Sequence, residues 1–196
     1  MKLINVFIFV FASFVFAYAD SPLTSTDFYK AYEGSPIVKQ ALNSNGTITV
    51  DLMKFLNSKK NSIALKVAVI NAIGWSFDGH DNYDKYKEFL GNKMGKGKQK
   101  AHNLLCLAYL KALDNYFDCK DALKIADEAL NMNPKSYTFN IIRGLIKAQV
   151  LFDHSWCSVW QATNDVRINK DLTIDMNAEA IRIIFEYMDL YKEDCN

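Results

Sequence analysis

From Ser25 onward the apolar residues recur at spacings of three and four, the period of an α-helix with one buried face. In "STDFYKAYEG", Phe28, Tyr29 and Tyr32 share a side, with Ser25 or Thr26 as the cap and Gly34 as the stop. "SPIVKQALNSNG" begins with Ser35 as cap and Pro36 at the first helical position, where a missing N–H costs nothing, so these two stretches predict a short antiparallel pair. "TITVDLMKFLNSKK" alternates like a strand over Thr47–Val50, but Leu52, Met53, Phe55 and Leu56 return to helical spacing, and it reads mostly as helix with Thr49 as cap. "NSIALKVAVINAIGWSF" is apolar on every side and predicts a central, almost fully buried helix. "DNYDKYKEFLG" turns Tyr83, Tyr86 and Leu90 inward, with Gly91 as its stop. Further helices are expected from Lys98 to Asn115, after Asp118, from Ser136 to Phe152 and from His154 to about Ile168. "NAEAIRIIFEYMDLYKED" closes the chain with Ile181, Ile184, Phe185 and Met188 at helical spacing. Connections this short predict an all-α fold of antiparallel helical hairpins, stacked as a short α-solenoid or gathered into a compact bundle.

The N-terminus breaks this pattern. "MKLINVFIFVFASFVFAYAD" sets Lys2 before an apolar run that is shorter than the roughly 20 residues a membrane span needs, and ends it in Ala17-Tyr18-Ala19. This is the signature of a secretory signal peptide over residues 1–19, cleaved after Ala19, and it predicts a secreted or periplasmic product with no stable membrane insertion. Loss of Lys2, the leader's only charge, takes the formal balance from +1 to zero, so binding to nucleic acid is not expected. The remaining length suits one continuous domain, divided here into an N-terminal helical region at 20–95 and a C-terminal one at 96–196.

The most informative stretch is "DCKDALKIADEALNMNPKS". Asp118 is placed to cap the helix, Asp121 sits in its first turn where the helix dipole favours a negative charge, and Ala122, Ile125, Ala126 and Ala129 form one face. That face is nearly all alanine, which lets a neighbouring helix approach closely, and Pro134 forces a turn into the next helix. The spacing of Ala122, Ala126, Ala129 and Pro134 resembles the second helix and closing proline of a tetratricopeptide repeat, a unit of about 34 residues. The resemblance implies a small residue in the second turn of the next helix, where Gly144 stands, and an aromatic followed by small residues in the helix after that, where Trp160, Ala162 and Thr163 stand. It covers Lys98 to Ile168. Departures are Trp156 at a place usually held by alanine, no proline after Ile168, and about two extra residues before the alanine helix.

Four cysteines in an oxidising compartment make a disulfide expected. Cys119, Cys157 and Cys195 follow one another at equal intervals and are the candidates for one bridge, whereas Cys106 lies in an apolar helical run; buried free thiols are the alternative. Candidate chemistry is thin. "GNKMGKGKQK" has too few residues between its glycines for a phosphate loop, lacks a Ser or Thr after Lys96, and reads as a solvated connector. "FDGHDNYDKY" gathers Asp78, His80, Asp81, Asn82 and Asp84, but Gly79 is misplaced for a calcium loop, and capping of the next helix by Asp81 or Asn82 explains the cluster. His154 and Cys157 at a helix start would suit a thiolate nucleophile if Cys157 were unbridged; His102 and Cys106 read as packing, as do Trp75, Trp156 and Trp160. No metal site, cofactor motif or catalytic constellation is expected, and Asn45-Gly46-Thr47 is a glycosylation sequon for a host that uses such sites.

Repeat-like helices generally bind. In an array of the tetratricopeptide kind the first helix of each unit lines a concave groove, and Asn140, Arg143 and Lys147 form a polar stripe on the helix after Pro134, suited to a peptide carboxylate or acidic side chains. The expected function is a non-catalytic module that takes a protein or peptide partner in that groove. A compact helical inhibitor or structural partner of an envelope component is the second reading, and a cysteine-dependent hydrolase a remote third.

Overall fold

The computed structural model of the protein describes residues 20–94 and 100–195; the proposed leader lies outside them, as does half of the Gly-Lys connector. These residues form nine α-helices and no sheet: α1 (Pro36–Leu42), α2 (Val50–Asn57), α3 (Ile63–Ile73), α4 (Asn82–Met94), α5 (Ala101–Asp114), α6 (Lys120–Met132), α7 (Tyr137–Leu151), α8 (Trp156–Ile168) and α9 (Ala178–Met188). Short 3₁₀ helices at Phe28–Tyr32 and Asp189–Cys195 precede and follow them. None of the described helices is long and apolar enough to cross a membrane.

Most helices begin where a small polar side chain satisfies an otherwise unpaired amide. Thr49 accepts from the Leu52 amide, Ser62 from Leu65, Ser136 from Phe139, Ser155 from Ser158 and Asn177 from Glu179, each a contact worth about 1 kcal/mol. Three expectations about ends are corrected. Gly91 does not stop α4, which runs on to Met94, because a glycine weakens a helix but ends it only by turning left-handed. The cap position of α6 is Cys119, and Asp118 instead accepts from the Lys120 amide at 3.4 Å. "STDFYKAYEG" yields one short 3₁₀ helix rather than an α-helix, with Asp27 and not Ser25 or Thr26 at its cap position, and it buries Phe28.

Packing follows the sequence pattern more closely. α3 is buried on nearly every side, against the Phe28–Tyr32 segment, α1, α5 and α7. α5 and α6 form one hairpin and α7 and α8 the next, with α6 against α7. α6 buries Ala122, Ala126 and Ala129 and nothing larger. Gly144 is required where α7 meets α8, since a Cβ there would lie 2.8 Å from the Ala162 carbonyl oxygen. The loop into α9 is tied to the start of α7: the Tyr137 amide donates to Thr173 O, and the Asp175 carboxylate accepts from Ser136 Oγ and from Thr138 N and Oγ1.

The inner face of α5 and α7 is covered by the chain's own beginning. Leu23 is buried and its amide donates to Gln149 Oε1 of α7 at 3.3 Å, while Phe28 is buried and stacks on Tyr109 of α5. Asn71 of α3 holds this segment down: its Oδ1 accepts from the Tyr29 amide at 2.9 Å, and its Nδ2 donates to Thr26 O at 3.1 Å and to Tyr109 Oη at 3.0 Å. The same segment reaches α9, where Tyr32 Oη accepts from the Asn177 amide.

Replacing Asn71 by leucine leaves three buried polar groups without partners at once. Asn71→Leu is therefore expected to cost about 3 kcal/mol in urea unfolding, against less than about 1 kcal/mol for the exposed Asn43→Leu.

Candidate functional site

The stripe Asn140, Arg143 and Lys147 is on one side of α7, as the spacing requires, but most of its polar capacity is spent on the fold. Asn140 Nδ2 donates to Pro134 O at 2.9 Å and Ser136 O at 2.8 Å, closing the turn before α7. Arg143 Nε donates to Asp127 Oδ1 at 2.8 Å, so the stripe faces α6 rather than an open groove. Lys147 is half-buried and makes no ion pair among the described residues. Leu23 meets α7 away from the stripe, at Gln149, and Phe28 meets α5 at Tyr109.

The cysteines resolve into one bridge and two thiols. Cys157 at the start of α8 is joined to Cys195 at the chain's end. Cys119 is buried with its sulfur among the carbonyls of Ala112, Asn115 and Tyr116 at 3.6 to 3.7 Å, and it takes no part in a bridge. Burial pushes both free thiols, Cys106 and Cys119, up to about 12, away from nucleophilic character. Cys157 offers no thiolate while bridged, and His154 beside it is exposed. His102 contacts Asn57 O at 3.3 Å, and burial lowers its pKa.

The acidic cluster predicted from "FDGHDNYDKY" gains a different role. Asp81, of the two cap candidates, stands at the cap position of α4, its carbonyl accepting from the Lys85 amide, while Asn82 is buried, accepts from the Ile48 amide at 2.7 Å and donates to Gly46 O at 2.9 Å, pinning the turn that carries the Asn45 sequon. The amide of Tyr83, in the first turn of α4, donates instead to Asp114 Oδ2 at 2.6 Å, a carboxylate that arrives from the end of α5. Gly79 allows this approach, with φ +78° and a Cβ position 2.8 Å from Asp114 O, and the His80 amide donates to that same oxygen. Asp81 pairs with Lys85. No group of three or more metal-ligating side chains forms among the described residues.

These contacts bring the α3–α4 and α5–α6 loops together, and at their meeting point two large apolar side chains face solvent. Phe77 is 72% exposed and Phe117 67%, with ring centroids 5.7 Å apart and edge to face. Behind them Phe117 lies on Tyr116, and Tyr116 on Trp75, whose Nε1 donates to Thr24 O. A cleft of about 600 Å³ opens between Phe77, Phe117, Asp78, His80, Asp81 and Asp114. A second, of about 240 Å³, adjoins it across His80, Asp114 and Asn115 and adds Asp84, Asp118 and Asp121. Desolvation pushes Asp114 up to about 6, against the pull of the Tyr83 amide, and its Oδ1 is buried without a hydrogen-bond partner.

The sequence reading placed no function on Phe77 or Phe117. One signal was present: each is a phenylalanine followed by aspartate in a short polar loop just beyond a helix, outside any helical stripe. Trp156, assigned to packing, is corrected as well, since it is 55% exposed at the start of α8. Trp160 is half-buried and donates to Asp189.

Two outcomes follow. Cys157→Ser opens a long loop at the chain's end and is expected to cost about 3 to 4 kcal/mol in thermal unfolding, whereas Cys119→Ser, nearly isosteric, costs about 1 kcal/mol. Asp114 holds its proton more tightly folded than unfolded, so the stability it contributes is present below pH ~4 and lost as pH rises through about 6. Asp114→Asn keeps an acceptor for Tyr83 and should flatten that decline; the loss of unfolding free energy from pH 4 to 7, read from urea titrations, should differ between the two chains by about 1 kcal/mol, solvent screening part of the carboxyl. Comparison with known families, curated proteins and solved structures finds no match for this chain.

Proposed function

We propose that the chain is an extracytoplasmic, non-catalytic interaction protein that takes a protein or peptide partner, built on tetratricopeptide-like hairpins in α5–α8. The observation that carries the reading is the exposed Phe77–Phe117 pair at the mouth of an acid-rimmed cleft. Two large aromatic rings held in water by ordered loops, edge to face and backed by Tyr116, form a preorganised apolar anchor of the kind that binding surfaces use. The leader and the Cys157–Cys195 bridge support a place outside the cytosol.

The tetratricopeptide likeness is supported by the alanine face of α6 and by Gly144 against Ala162. The binding surface is better assigned to the loop end than to the α7 stripe, because Asn140 and Arg143 serve the fold. The second reading, a compact helical inhibitor or structural partner, draws on the coverage of α5 and α7 by Leu23 and Phe28, which leaves a closed helical body. Both readings use a surface rather than an active site. The hydrolase reading would need Cys157 as a thiolate.

Affinity capture from the native secretome or envelope tests the assignment with three forms of the mature chain: unaltered, Phe77→Ser with Phe117→Ser, and Arg143→Glu with Lys147→Glu. The phenylalanine pair variant is expected to lose the captured partners while keeping its circular dichroism melt within a few degrees. Loss in the Arg143 and Lys147 variant alone would return the site to α7 and sink this reading.

A further inference from the structure

The chemistry around Phe77 and Phe117 narrows what docks there. The two adjoining clefts are lined by Asp78, Asp81, Asp84, Asp114, Asp118 and Asp121 against one lysine, Lys111. Asp81 and Asp121 are neutralised by Lys85 and Lys124; the other four have no ion pair among the described residues. The chain as a whole is close to neutral, so this excess of negative charge is local.

At two other places on the molecule, an aromatic ring beside a carboxylate is covered by one of the chain's own cations. Arg167 lies over the Phe185 ring at 4.2 Å and pairs with both oxygens of Asp189, at 2.8 and 2.9 Å. Lys111 sits 4.7 Å from the centre of Tyr83. Phe77 and Phe117 have the same neighbours, rings and carboxylates, but among the described residues no cation lies over either ring. A planar guanidinium is the group that satisfies both: it stacks on a phenyl face, forks onto a carboxylate, and sheds its water more readily than an ammonium.

We propose that the Phe77–Phe117 cleft docks an arginine-bearing segment of a partner protein. The guanidinium lies against the phenyl pair, as Arg167 lies on Phe185, and the flanking carboxylates of Asp84 and Asp118 attract the basic residues beside it. An acidic peptide, a phosphate or a nucleic acid backbone is repelled by the same rim. This inference rests on the assignment of the loop end as the binding surface and adds the chemistry of the partner.

The test is fluorescence anisotropy with the full mature chain and a fluorescein-labelled tetra-arginine amide at low ionic strength, with tetra-lysine and tetraglutamate as comparison probes. Saturable binding of tetra-arginine is expected, weaker for tetra-lysine and absent for tetraglutamate. Affinity should fall by about tenfold in Phe77→Ser with Phe117→Ser and again in Asp84→Asn with Asp118→Asn, and stay unchanged in Lys147→Glu. No saturable binding, equal binding of tetraglutamate, or unchanged affinity in both double variants overturns the proposal. So does self-association of the chain that Asp84→Asn with Asp118→Asn abolishes in sedimentation, which would make a second copy the occupant. If the phenylalanine variant loses its captured partners while tetra-arginine fails to bind, the surface stands and the arginine inference alone falls.

Discussion

The carboxamide of Asn71 sits inside the most buried helix and makes three hydrogen bonds, to the Tyr29 amide and the Thr26 carbonyl of one segment and to the Tyr109 hydroxyl of α5. A side chain buried this deeply is tolerated only because donor and acceptor are both used. The return is positional. The Thr26 and Tyr29 contacts fix the chain before α1 against α3, and from there Phe28 reaches Tyr109, Leu23 reaches α7 and Tyr32 reaches the start of α9. One amide group thereby joins the beginning of the chain, its centre and its last helix around a single core.

That closure decides which surfaces remain available. Two hairpins with an alanine seam and a glycine contact would, left alone, expose the inner sides of α5 and α7. Here α5 is buried without a break from Leu105 to Leu110 and α7 from Gly144 to Ile146, because each is packed from both sides. The far ends of the molecule differ from one another in the same way. At the α9 end, Arg167, Asp189, Trp160 and the Cys157–Cys195 bridge tie exposed groups to each other. At the α3–α4 and α5–α6 loops, Asp114 and Gly79 fix the backbone firmly, yet the aromatic and acidic side chains beyond it are left facing water.

Much of the fold was legible because it is periodic. The burial of α3, the alanine face of α6 and the Thr49 and Ser35 cap positions are all short-range statements about where a helix begins or which face meets a neighbour, while the small residue at Gly144 was implied by the tetratricopeptide resemblance. The errors share the opposite property. Asn82 looked like a cap because its neighbours are local, but its partners are Ile48 and Gly46 across a separate turn. The stripe that holds Arg143 is likewise read from one helix alone, while its partner Asp127 lies on the preceding helix. Local pattern states that a side chain is polar and outward, and is silent about what waits there.

The same limit explains why the α7 stripe is visible in the sequence and the loop-end pair is not. A polar stripe on a helix is visible at once, whereas Phe77 and Phe117 stand far apart in sequence and become a pair only when Asp114 draws the two loops together. An isolated loop phenylalanine is unremarkable, since single apolar residues are common on protein surfaces. Two of them in edge-to-face contact, on loops fixed by a carboxylate bound to an amide, are a different object: their exposure costs free energy that folding inward could have avoided, and the backbone contacts that hold them out are specific. The loop end therefore differs physically from the α7 face, where Asn140 and Arg143 are bonded to the fold, and it is on this difference that the proposed binding surface rests.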